Sequence, residues 1–375
     1  MAGIYVHIPF CGYACSYCDF YFTTHLNFKN DFLKALYTEI DLRKSFLENQ
    51  TIDTIYFGGG TPSKLTAIEI TSIINKLKAS FNVNPKAEIT LEANPDDINI
   101  KTANEYRDAG LNRLSMGIQS FHNNELNLLG RKHSSQKAIE AVEAIRVAGF
   151  NNFNLDLIYG VPDSSIDSWR ENLKQIIALN PNHISSYCLT IEEGTKLDYQ
   201  VKKGRVTLPS EDIVIEQFKL LIQELNNAGY EHYEISNFAK PGKLSEHNTA
   251  YWSGAQYLGL GPSAHSFDGI NRYLNIANSP KYIEKINERQ PAVEEEVLSL
   301  NNRFNEFVMT RLRTHWGISK LQIQEFFNDG HATHISKEAQ RYILTEDLVE
   351  SSNSIKLTEK GKLIADKIAS DLFIV

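Results

Sequence analysis

Residues 7–22 read HIPFCGYACSYCDFYF and carry three cysteines, Cys11, Cys15 and Cys18, in a C-x3-C-x2-C spacing at the end of an apolar run. Thiolates are the usual protein ligands of iron-sulfur clusters, and a four-iron cluster needs one external ligand for each iron. Three neighbouring cysteines therefore leave one iron open. That iron can bind a small molecule through paired amine and carboxylate donors.

Other roles for the three cysteines remain open. Zinc usually takes four ligands, often as two C-x2-C pairs, and the sequence has no second pair, although His7 could complete a Cys3His set. Disulfides are disfavoured because only four cysteines occur in 375 residues and three of them are crowded together. Inert core thiols are the last alternative. The fourth cysteine, Cys188, stands in an apolar strand, where we interpret it as a packing residue.

Short β-rich runs alternate six times with longer amphipathic segments along the first half of the chain. The predicted strands are 4–8, 54–59, 88–93, 113–119, 153–159 and 183–189. The predicted helices are 30–48, 66–81, 100–109, 134–148 and 165–179. Repeated βα units indicate a parallel sheet with right-handed crossovers, and six units are too few to close an eight-stranded barrel. The pattern predicts an α/β fold with a partial (β/α)6 barrel.

Residues of chemical interest fall at or just past the ends of these strands. They include Cys11, the glycines of YFGGGTPS at 56–63, Glu92 of TLEANP, Gln119 of SMGIQSF, Asp156 of NLDLIYGVP and Cys188. The ends of parallel strands meet on one face of such a barrel, and the chemistry belongs there. Three consecutive glycines also let the backbone approach a ligand closely and adopt positive φ. We expect these residues to converge.

At this point the chain resembles the radical S-adenosylmethionine superfamily, which has the same partial barrel. The resemblance implies a 4Fe-4S cluster held by the three cysteines, with S-adenosylmethionine on the open iron and its sulfonium cleaved reductively to a 5′-deoxyadenosyl radical. The resemblance also implies cofactor contacts around that iron. The implied S-adenosylmethionine contacts are Tyr5, Tyr17, Gly59, Gly60, Thr61, Glu92, Gln119, Arg131 and Asp156. Arg131 could hold a carboxylate through paired hydrogen bonds, and Asp156 could accept from ribose hydroxyls.

Five motifs narrow the resemblance: HIPFC, YFGGGTP, SMGIQSF, DLIYGVP and GLGPSAHS, which together cover most of residues 1–270. They are similar to the oxygen-independent coproporphyrinogen III oxidase-like branch. That branch contains a true oxidative decarboxylase of haem biosynthesis, a coproporphyrinogen III dehydrogenase, and a haem chaperone that delivers haem to acceptor haemoproteins such as respiratory ones. No catalytic residue is assigned.

Three features favour the chaperone. The oxidase typically carries a fourth cysteine two residues beyond the triplet, and this chain has Phe20 at that position. The oxidase also has a long extension before the cluster, whereas only ten residues precede Cys11 in this chain. Residues 247–252 read HNTAYW and match an H-N-x-x-Y-W signature associated with haem binding. The implied haem contacts are His247, Asn248, Tyr251 and Trp252. Histidine is a common axial haem ligand, and Tyr or Trp can flank a flat macrocycle. His265 of GPSAHS remains a second candidate ligand.

The remaining sequence predicts a three-part organisation. Residues 1–190 form the barrel with its cluster, and 191–300 form an extension of loops, helices and a small hairpin that carries the haem motif. Residues 301–375 read as helix, short β-wing and helix, which predicts an α+β winged-helix-like module. Its mixed charges and lack of an aromatic-basic stripe favour packing against the barrel over nucleic-acid binding.

Composition and charge limit the partners. The balance of 38 basic against 46 acidic residues gives a formal net charge of −8, which disfavours a polyanion and therefore also disfavours a third class, radical modification of tRNA. No apolar stretch approaches the roughly 20 residues of a membrane span, and no presequence precedes the cysteine motif. We expect a cytoplasmic protein, with peripheral membrane association left open. The haem acceptor, the oligomeric state and the mode of haem attachment are not indicated.

Overall fold

A computed structural model describes residues 2–375. Its first half alternates strands and helices as the hydrophobic periodicity predicts. The strands are β1 Ala2–Ile8, β2 Ile52–Gly59, β3 Val83–Ala93, β4 Arg113–Gln119, β5 Phe153–Tyr159 and β6 His183–Cys188. The helices are α1 Lys29–Leu42, α2 Ala67–Ser80, α3 Ile100–Asp108, α4 Asn123–Leu128, α5 Ser135–Val147 and α6 Ile166–Leu179. All six predicted strands and all five predicted helices are present.

Strands β1 to β6 pair in chain order, each parallel to the next. The alternation of side chains in a strand gives each one two different faces. On β1, Ile4 and Val6 belong to the main hydrophobic core, whereas Tyr5 and His7 point to the opposite face. This opposite face is the inner face of the curved sheet. The partial α/β barrel is therefore confirmed.

Local sequence signals mark where the helices begin and end. Thr66 caps α2 through a capping box with Glu69, and Ser165 caps α6 in the same way with Ser168. Asn180 ends α6 in a left-handed conformation, a role that asparagine accepts more readily than most residues. These caps set where each helix returns the chain to the sheet, and so where the next strand begins.

The second half of the chain adds more sheet than the sequence indicates. The strands are β7 Glu231–Glu234, β8 Asn237–Ala239, β9 Gln256–Leu260, β10 His265–Phe267, β11 Arg272–Asn275 and β12 Val293–Glu296. The helices are α7 Lys196–Lys202, α8 Glu211–Asn227, α9 Glu246–Trp252 and α10 Ser279–Asn287. The expected small hairpin corresponds to β7 and β8, which pair antiparallel beside β6.

The strands missed by the sequence extend the other edge. Strand β9 pairs parallel with β1, and β10, β11 and β12 continue antiparallel beyond it. Among residues 2–375 the resulting twelve-stranded sheet runs from β12 to β7 without closing. These strands are only three to five residues long, so they show little periodicity, and distant partners select them.

The last part of the chain combines helices with a second, three-stranded sheet. The helices are α11 Leu300–Leu312, α12 Lys320–Phe326, α13 Asp329–Leu344, α14 Glu359–Lys362 and α15 Ala365–Asp371, and the strands are β13 Ile318–Ser319, β14 Leu348–Glu350 and β15 Ser354–Leu357. Sheet order is β13-β15-β14, all antiparallel, over a hydrophobic cluster separate from the main core. This agrees with a winged-helix-like module, while the three predicted domain boundaries stay predictions.

This module contacts the main sheet through polar groups. Arg313 binds the buried Glu234 carboxylate at 3.0 Å and reaches Asp366 at the same distance. The backbone N–H of His315 donates to the carbonyl of Tyr233 at 2.9 Å. Within residues 2–375, no helix has the length and apolar character needed to cross a bilayer.

Candidate functional site

One cavity of about 450 Å³ opens at the carboxyl ends of the parallel strands. The cavity is lined by all three clustered cysteines and by eight of the nine residues that the resemblance assigns to S-adenosylmethionine. They are Cys11, Cys15, Cys18, Tyr17, Gly59, Gly60, Thr61, Glu92, Gln119, Arg131 and Asp156. Their side chains come from different βα units and meet because parallel strands present their ends on one side.

The cysteine loop is anchored to the barrel by backbone hydrogen bonds. The N–H of Cys11 donates to Thr23 at 2.9 Å, and that of Ser16 donates to Leu129 at 3.0 Å. Thr61 donates its hydroxyl to the sulfur of Cys11 at 3.3 Å. Burial raises the pKa of the Cys11 thiol and raises that of Cys18 to about 11. Uncompensated thiolates are therefore disfavoured there, and positive charge must stabilise them.

Arg131 supplies positive charge beside the cysteines. Its Nη1 lies 3.6 Å from the sulfur of Cys15, while Nη2 donates to Asn94 at 2.7 Å and to the Gly117 carbonyl at 2.8 Å. Its buried Nε has no hydrogen-bond partner in the structure. The side chain can therefore stabilise a thiolate and still offer one donor to an anionic ligand.

The three thiols fit a multi-iron group by the chemistry of their donors, because all three sulfurs line one cavity with a cation beside them. As arranged here, no three His, Cys, Asp or Glu side chains within residues 2–375 form a site for a single metal ion.

The glycines after β2 lie against the chain that enters the cysteine loop. The N–H of Gly60 donates to Ile8 at 2.9 Å, and that of Thr61 donates to Phe10 at 2.7 Å. A Cβ at Gly60 would lie 2.9 Å from the Phe10 carbonyl oxygen, and Gly59 has φ of +106° with its Cβ direction filled by the His7 ring. Packing inside the protein therefore requires glycine at both positions, in addition to any requirement set by a ligand.

Two buried carboxyl groups face the cavity from β3 and β5. Glu92 accepts a 2.7 Å hydrogen bond from Tyr56, and burial together with nearby Asp156 raises the Glu92 pKa to about 7. Burial likewise raises the pKa of Asp156 to about 6, although Asn154 donates to it at 2.5 Å. Each group is poised to become a full carboxylate when a cationic or hydroxylated ligand enters.

Tyr5 is the predicted residue that does not line the cavity. Its hydroxyl hydrogen-bonds Nδ1 of His7 at 3.2 Å, and its ring stacks on Tyr56 with centroids 6.2 Å apart. It lies one layer beneath the wall, behind the Tyr56 that holds Glu92. Gln119 lines the cavity at the end of β4 and adopts a positive φ of 69°, which turns the chain out of the strand.

Sequence reasoning missed several wall residues. Asn94 belongs to the TLEANP motif that yielded Glu92, so its position two residues later was a usable signal. Cys188 lines the same cavity, as its place at a strand end predicts, but it is exposed at the end of β6 rather than buried as a packing residue. The first four residues of β6 are buried, whereas its last two, Tyr187 and Cys188, are exposed.

The HNTAYW segment forms α9 and does not line the cysteine cavity. His247 contacts Thr54 and Gly3, near the starts of β2 and β1. Gly58 at the cavity end of β2 is four residues farther along than Thr54, about 13 Å. The motif therefore lies toward the amino ends of the strands.

His247 is buried, and both of its ring nitrogens have partners. Nδ1 lies 2.7 Å from the hydroxyl of Thr54 and Nε2 lies 2.9 Å from that of Tyr251. The imidazole stacks on Tyr56 with centroids 4.9 Å apart and an interplanar angle of 18°. Burial lowers its pKa to about 3, so the ring is neutral at physiological pH, the form that binds metals.

The other haem-motif residues are only partly buried. Asn248, Tyr251 and Trp252 are half-buried on α9, and the buried indole N–H of Trp252 has no partner in the structure. His265, the second candidate ligand, is exposed on β10. The structure therefore groups His247 with Tyr251 at one end of the barrel and the cysteines at the other.

Comparison with known proteins agrees with this architecture. The family model described as the radical SAM superfamily matches residues 5–176. Proteins named heme chaperone HemW from Mycobacterium tuberculosis and Escherichia coli are each 32% identical, covering 99% of this chain and 94% and 98% of their own lengths. The chain belongs to the HemW family of radical SAM proteins.

This chain also resembles an enzyme of known structure. The coproporphyrinogen III oxidase HemN from Escherichia coli, described as a radical SAM enzyme, superposes with a TM-score of 0.86 at 26% identity, covering 99% of this chain and 90% of that one. The HemW protein of Bacillus subtilis is 32% identical over 98% of both chains.

Proposed function

We propose that this protein is a haem chaperone of the radical SAM type, which binds haem, a 4Fe-4S cluster and S-adenosylmethionine and passes haem to an acceptor haemoprotein. The observation that carries the proposal is the cavity lined by Cys11, Cys15 and Cys18, in a chain similar over its full length to proteins named heme chaperone HemW. We further propose a cytoplasmic location and a respiratory haemoprotein as acceptor.

The cavity supports binding of both cofactors. Cys11, Cys15 and Cys18 would hold the cluster, and a bound cluster with S-adenosylmethionine would supply one-electron reduction of the sulfonium. Around it, Glu92 offers a carboxylate for an ammonium group, and the backbone of Gly59 and Gly60 lines the cavity beside it. In this proposal these residues bind and orient the cofactor. That role does not require the radical chemistry to turn over.

The walls on either side fit the rest of the same ligand. Arg131 carries a buried, unpartnered Nε suited to a carboxylate, and Asp156 can accept from ribose hydroxyls. Tyr17, Thr61 and Gln119 complete the wall. Tyr5 would act from behind the wall, through its stack on Tyr56.

We place haem at α9, with His247 as axial ligand and Asn248, Tyr251 and Trp252 around it. The neutral imidazole supports this assignment, as does the unpartnered indole N–H of Trp252. Iron must displace one existing partner of the ring, because Thr54 and Tyr251 occupy both nitrogens.

The alternative function is coproporphyrinogen III dehydrogenase, oxidative decarboxylation of propionate side chains. The close structural similarity to HemN favours it. The sequence difference at the fourth cysteine position weighs against it, because Phe20 stands there and is 69% exposed at the cavity rim. We therefore rank the chaperone first.

An anaerobic haem titration of reconstituted protein, followed by the Soret band, tests the proposal. Saturable binding that weakens at least tenfold in His247→Ala, with His334→Ala in the C-terminal module as the matched control, would support it. His265→Ala tests the second candidate ligand. Product formation from coproporphyrinogen III without haem binding would favour the dehydrogenase.

A further inference from the structure

A row of buried polar side chains crosses the inner face of the sheet beneath Asp156. Asn154 lies two residues before Asp156 on β5, so both side chains point to the same face. Ser115 of β4 and His183 of β6 are the register partners of Asn154 on the two neighbouring strands. His183 is completely buried, and Asn154 is 3% exposed. The row therefore joins three strands just below the cavity.

These side chains form a continuous series of hydrogen bonds that ends at Asp156. The hydroxyl of Tyr233 on β7 lies 2.7 Å from Nε2 of His183. Nδ1 of His183 lies 2.7 Å from Oδ1 of Asn154. Nδ2 of Asn154 lies 2.5 Å from Oδ1 of Asp156 and 2.8 Å from the hydroxyl of Ser115. The direction of every bond in the series follows from the first one.

Tyr233 sets that direction. Its side chain is completely buried, and among residues 2–375 Nε2 of His183 is the only acceptor that its hydroxyl reaches. A buried O–H without an acceptor is costly, so Tyr233 donates to Nε2. Burial lowers the pKa of His183 well below its usual value, so the ring is neutral and its single N–H lies on Nδ1. That N–H donates to Oδ1 of Asn154.

The amide of Asn154 is thereby held with its N–H groups toward Asp156. Ser185 cannot fix the amide alone, because its single O–H is shared between Oδ1 of Asn154 at 3.2 Å and Oδ1 of Asn237 at 3.0 Å. Burial raises the pKa of Asp156 to about 6, and the hydrogen bond from Asn154 opposes that rise. A reversed amide would turn its carbonyl toward the carboxylate and favour the protonated form, which offers fewer acceptor sites to a ligand.

We propose that the Nδ1 proton of His183 locks the amide of Asn154, so that Asp156 stays a carboxylate and accepts hydrogen bonds from the ribose of S-adenosylmethionine. His183 is thus a positioning residue for the cavity. The proposal rests on the cofactor site proposed above, in which Asp156 receives the ribose. His183 does not line the cavity, so its effect on the ligand passes through Asn154 and Asp156.

Two substitutions of His183 separate this role from a packing role. The side-chain nitrogen of asparagine takes the place of Nδ1 in histidine, whereas that of glutamine takes the place of Nε2. His183→Asn therefore keeps the donor to Asn154 and gives up the bond to Tyr233, and His183→Gln does the reverse. S-adenosylmethionine should bind His183→Asn within about threefold of wild type. It should bind His183→Gln about tenfold more weakly or worse, the equivalent of one hydrogen bond to a charged group.

Isothermal titration calorimetry of the anaerobically reconstituted full-length protein with S-adenosylmethionine measures these affinities. Asp156→Asn should itself weaken binding. In that background His183→Gln should weaken binding by no more than about a further twofold, because its effect passes through Asp156. His331→Gln is the matched control, since it removes a histidine that is 5% exposed in the C-terminal module, and it should stay within about twofold of wild type.

The direction of the hydrogen bonds has a test that needs no cofactor. Long-range proton–nitrogen correlation spectra, recorded by nuclear magnetic resonance on the full-length protein with isotope-labelled histidine, show which ring nitrogen carries the proton. The histidine signal that is missing from His183→Asn identifies His183. We expect its proton on Nδ1, and a proton on Nε2 would overturn the inference.

The outcomes separate this inference from the proposed function. No binding of S-adenosylmethionine by reconstituted wild type would overturn the proposed cofactor site and this inference together. Binding that is unaffected by Asp156→Asn would overturn the role of Asp156 and this inference, and leave the cofactor site standing. Binding that depends on Asp156 but changes equally in His183→Asn and His183→Gln would overturn the inference alone. Circular dichroism of each variant verifies that it folds.

Discussion

The hydroxyl of Tyr56 donates a 2.7 Å hydrogen bond to the carboxyl group of Glu92. The same tyrosine ring stacks on His247, so one β2 residue contacts both Glu92 of the cavity wall and the helix that carries the haem motif. The two candidate sites lie at opposite ends of the barrel and share this residue. Burial and the nearby Asp156 carboxyl raise the pKa of Glu92, and the hydrogen bond from Tyr56 only partly opposes that rise.

Stability should fall with rising pH because of Glu92. Burial raises its pKa from an ordinary 4.5 to about 7, so the folded state holds a proton that the unfolded state has lost. The Glu92 contribution is fully present below about pH 4.5, is lost as pH rises to about 7, and amounts to roughly 3 kcal/mol. Asp156, with its pKa raised to about 6, acts in the same direction.

Urea unfolding of the cofactor-free protein at pH 5 and pH 8 measures this effect. Glu92→Gln keeps an acceptor for Tyr56 and should lose less stability than wild type between the two pH values. Buried histidines such as His247 have lowered pKa values and give the opposite slope, so the comparison must be between variants. Glu105→Gln, an exposed position, should behave as wild type. Equal slopes in all three proteins would refute the role of Glu92.

Cluster assembly should depend on Cys15 and not on Cys188. Both thiols line the cavity, but only Cys15 belongs to the C-x3-C-x2-C motif and lies beside Arg131. Cys15→Ala should abolish the visible absorbance of anaerobically reconstituted protein and lower its iron and sulfide content. Cys188→Ala should keep both. Unchanged iron and sulfide content in Cys15→Ala would contradict the assignment of the cluster to these cysteines.

Gly60→Ala should loosen the cysteine loop. Its new Cβ would lie 2.9 Å from the Phe10 carbonyl, so the strand end leading to Cys11 must move. Such overpacking costs about 1–3 kcal/mol. Gly110→Ala is the control. Gly110 has φ of +98°, but a Cβ there would lie in open space, so the substitution should lower the free energy of unfolding only by a backbone cost of about 1 kcal/mol. Thermal unfolding and cluster content are measured for both variants. An equal loss of cluster in the two variants would contradict the dependence of the cysteine loop on Gly60.

The barrel could be predicted because each of its units carries its own local signal. Strands such as β1 and β5 are apolar on the outer face and are followed by helices with 3.6-residue periodicity and clear caps. The location of Glu92 and Asp156 followed from the rule that strand ends meet. Strands β9 to β12 gave no comparable signal, because runs of three to five residues acquire their structure from distant partners.

The surroundings of the haem motif could not be predicted for a similar reason. The sequence identifies His247 as a candidate ligand, but its partner Thr54 lies 193 residues away, and Thr54 looks like an ordinary strand threonine. Nothing local indicates that Gly3 leaves room for the imidazole. The position of α9 at the amino ends of the strands arises from the packing of the second half of the chain against the first.

A buried charge pair, Glu88 and Arg113, holds the start of α9. The last prediction concerns this pair. Glu88 accepts from the backbone N–H of His247 at 3.2 Å, and its carboxylate lies 3.7 Å from Nε of Arg113, with both side chains almost fully buried. Removing one member of a buried pair leaves an uncompensated charge and costs about 3–5 kcal/mol. Glu88→Gln should therefore lower the free energy of unfolding by that amount and weaken haem binding, because α9 loses its anchor.

Replacing both members separates charge compensation from capping. Glu88→Gln with Arg113→Met leaves no unpaired charge, so stability should recover by about 2 kcal/mol or more, whereas haem affinity should stay low because the helix start still lacks its carboxylate. Asp108→Asn, at an exposed pair with Arg107, should change stability by less than about 0.5 kcal/mol. Urea unfolding of wild type, Glu88→Gln, Arg113→Met and the double variant measures the coupling. Additive losses would mean that Glu88 and Arg113 act independently, and that Glu88 serves α9 alone.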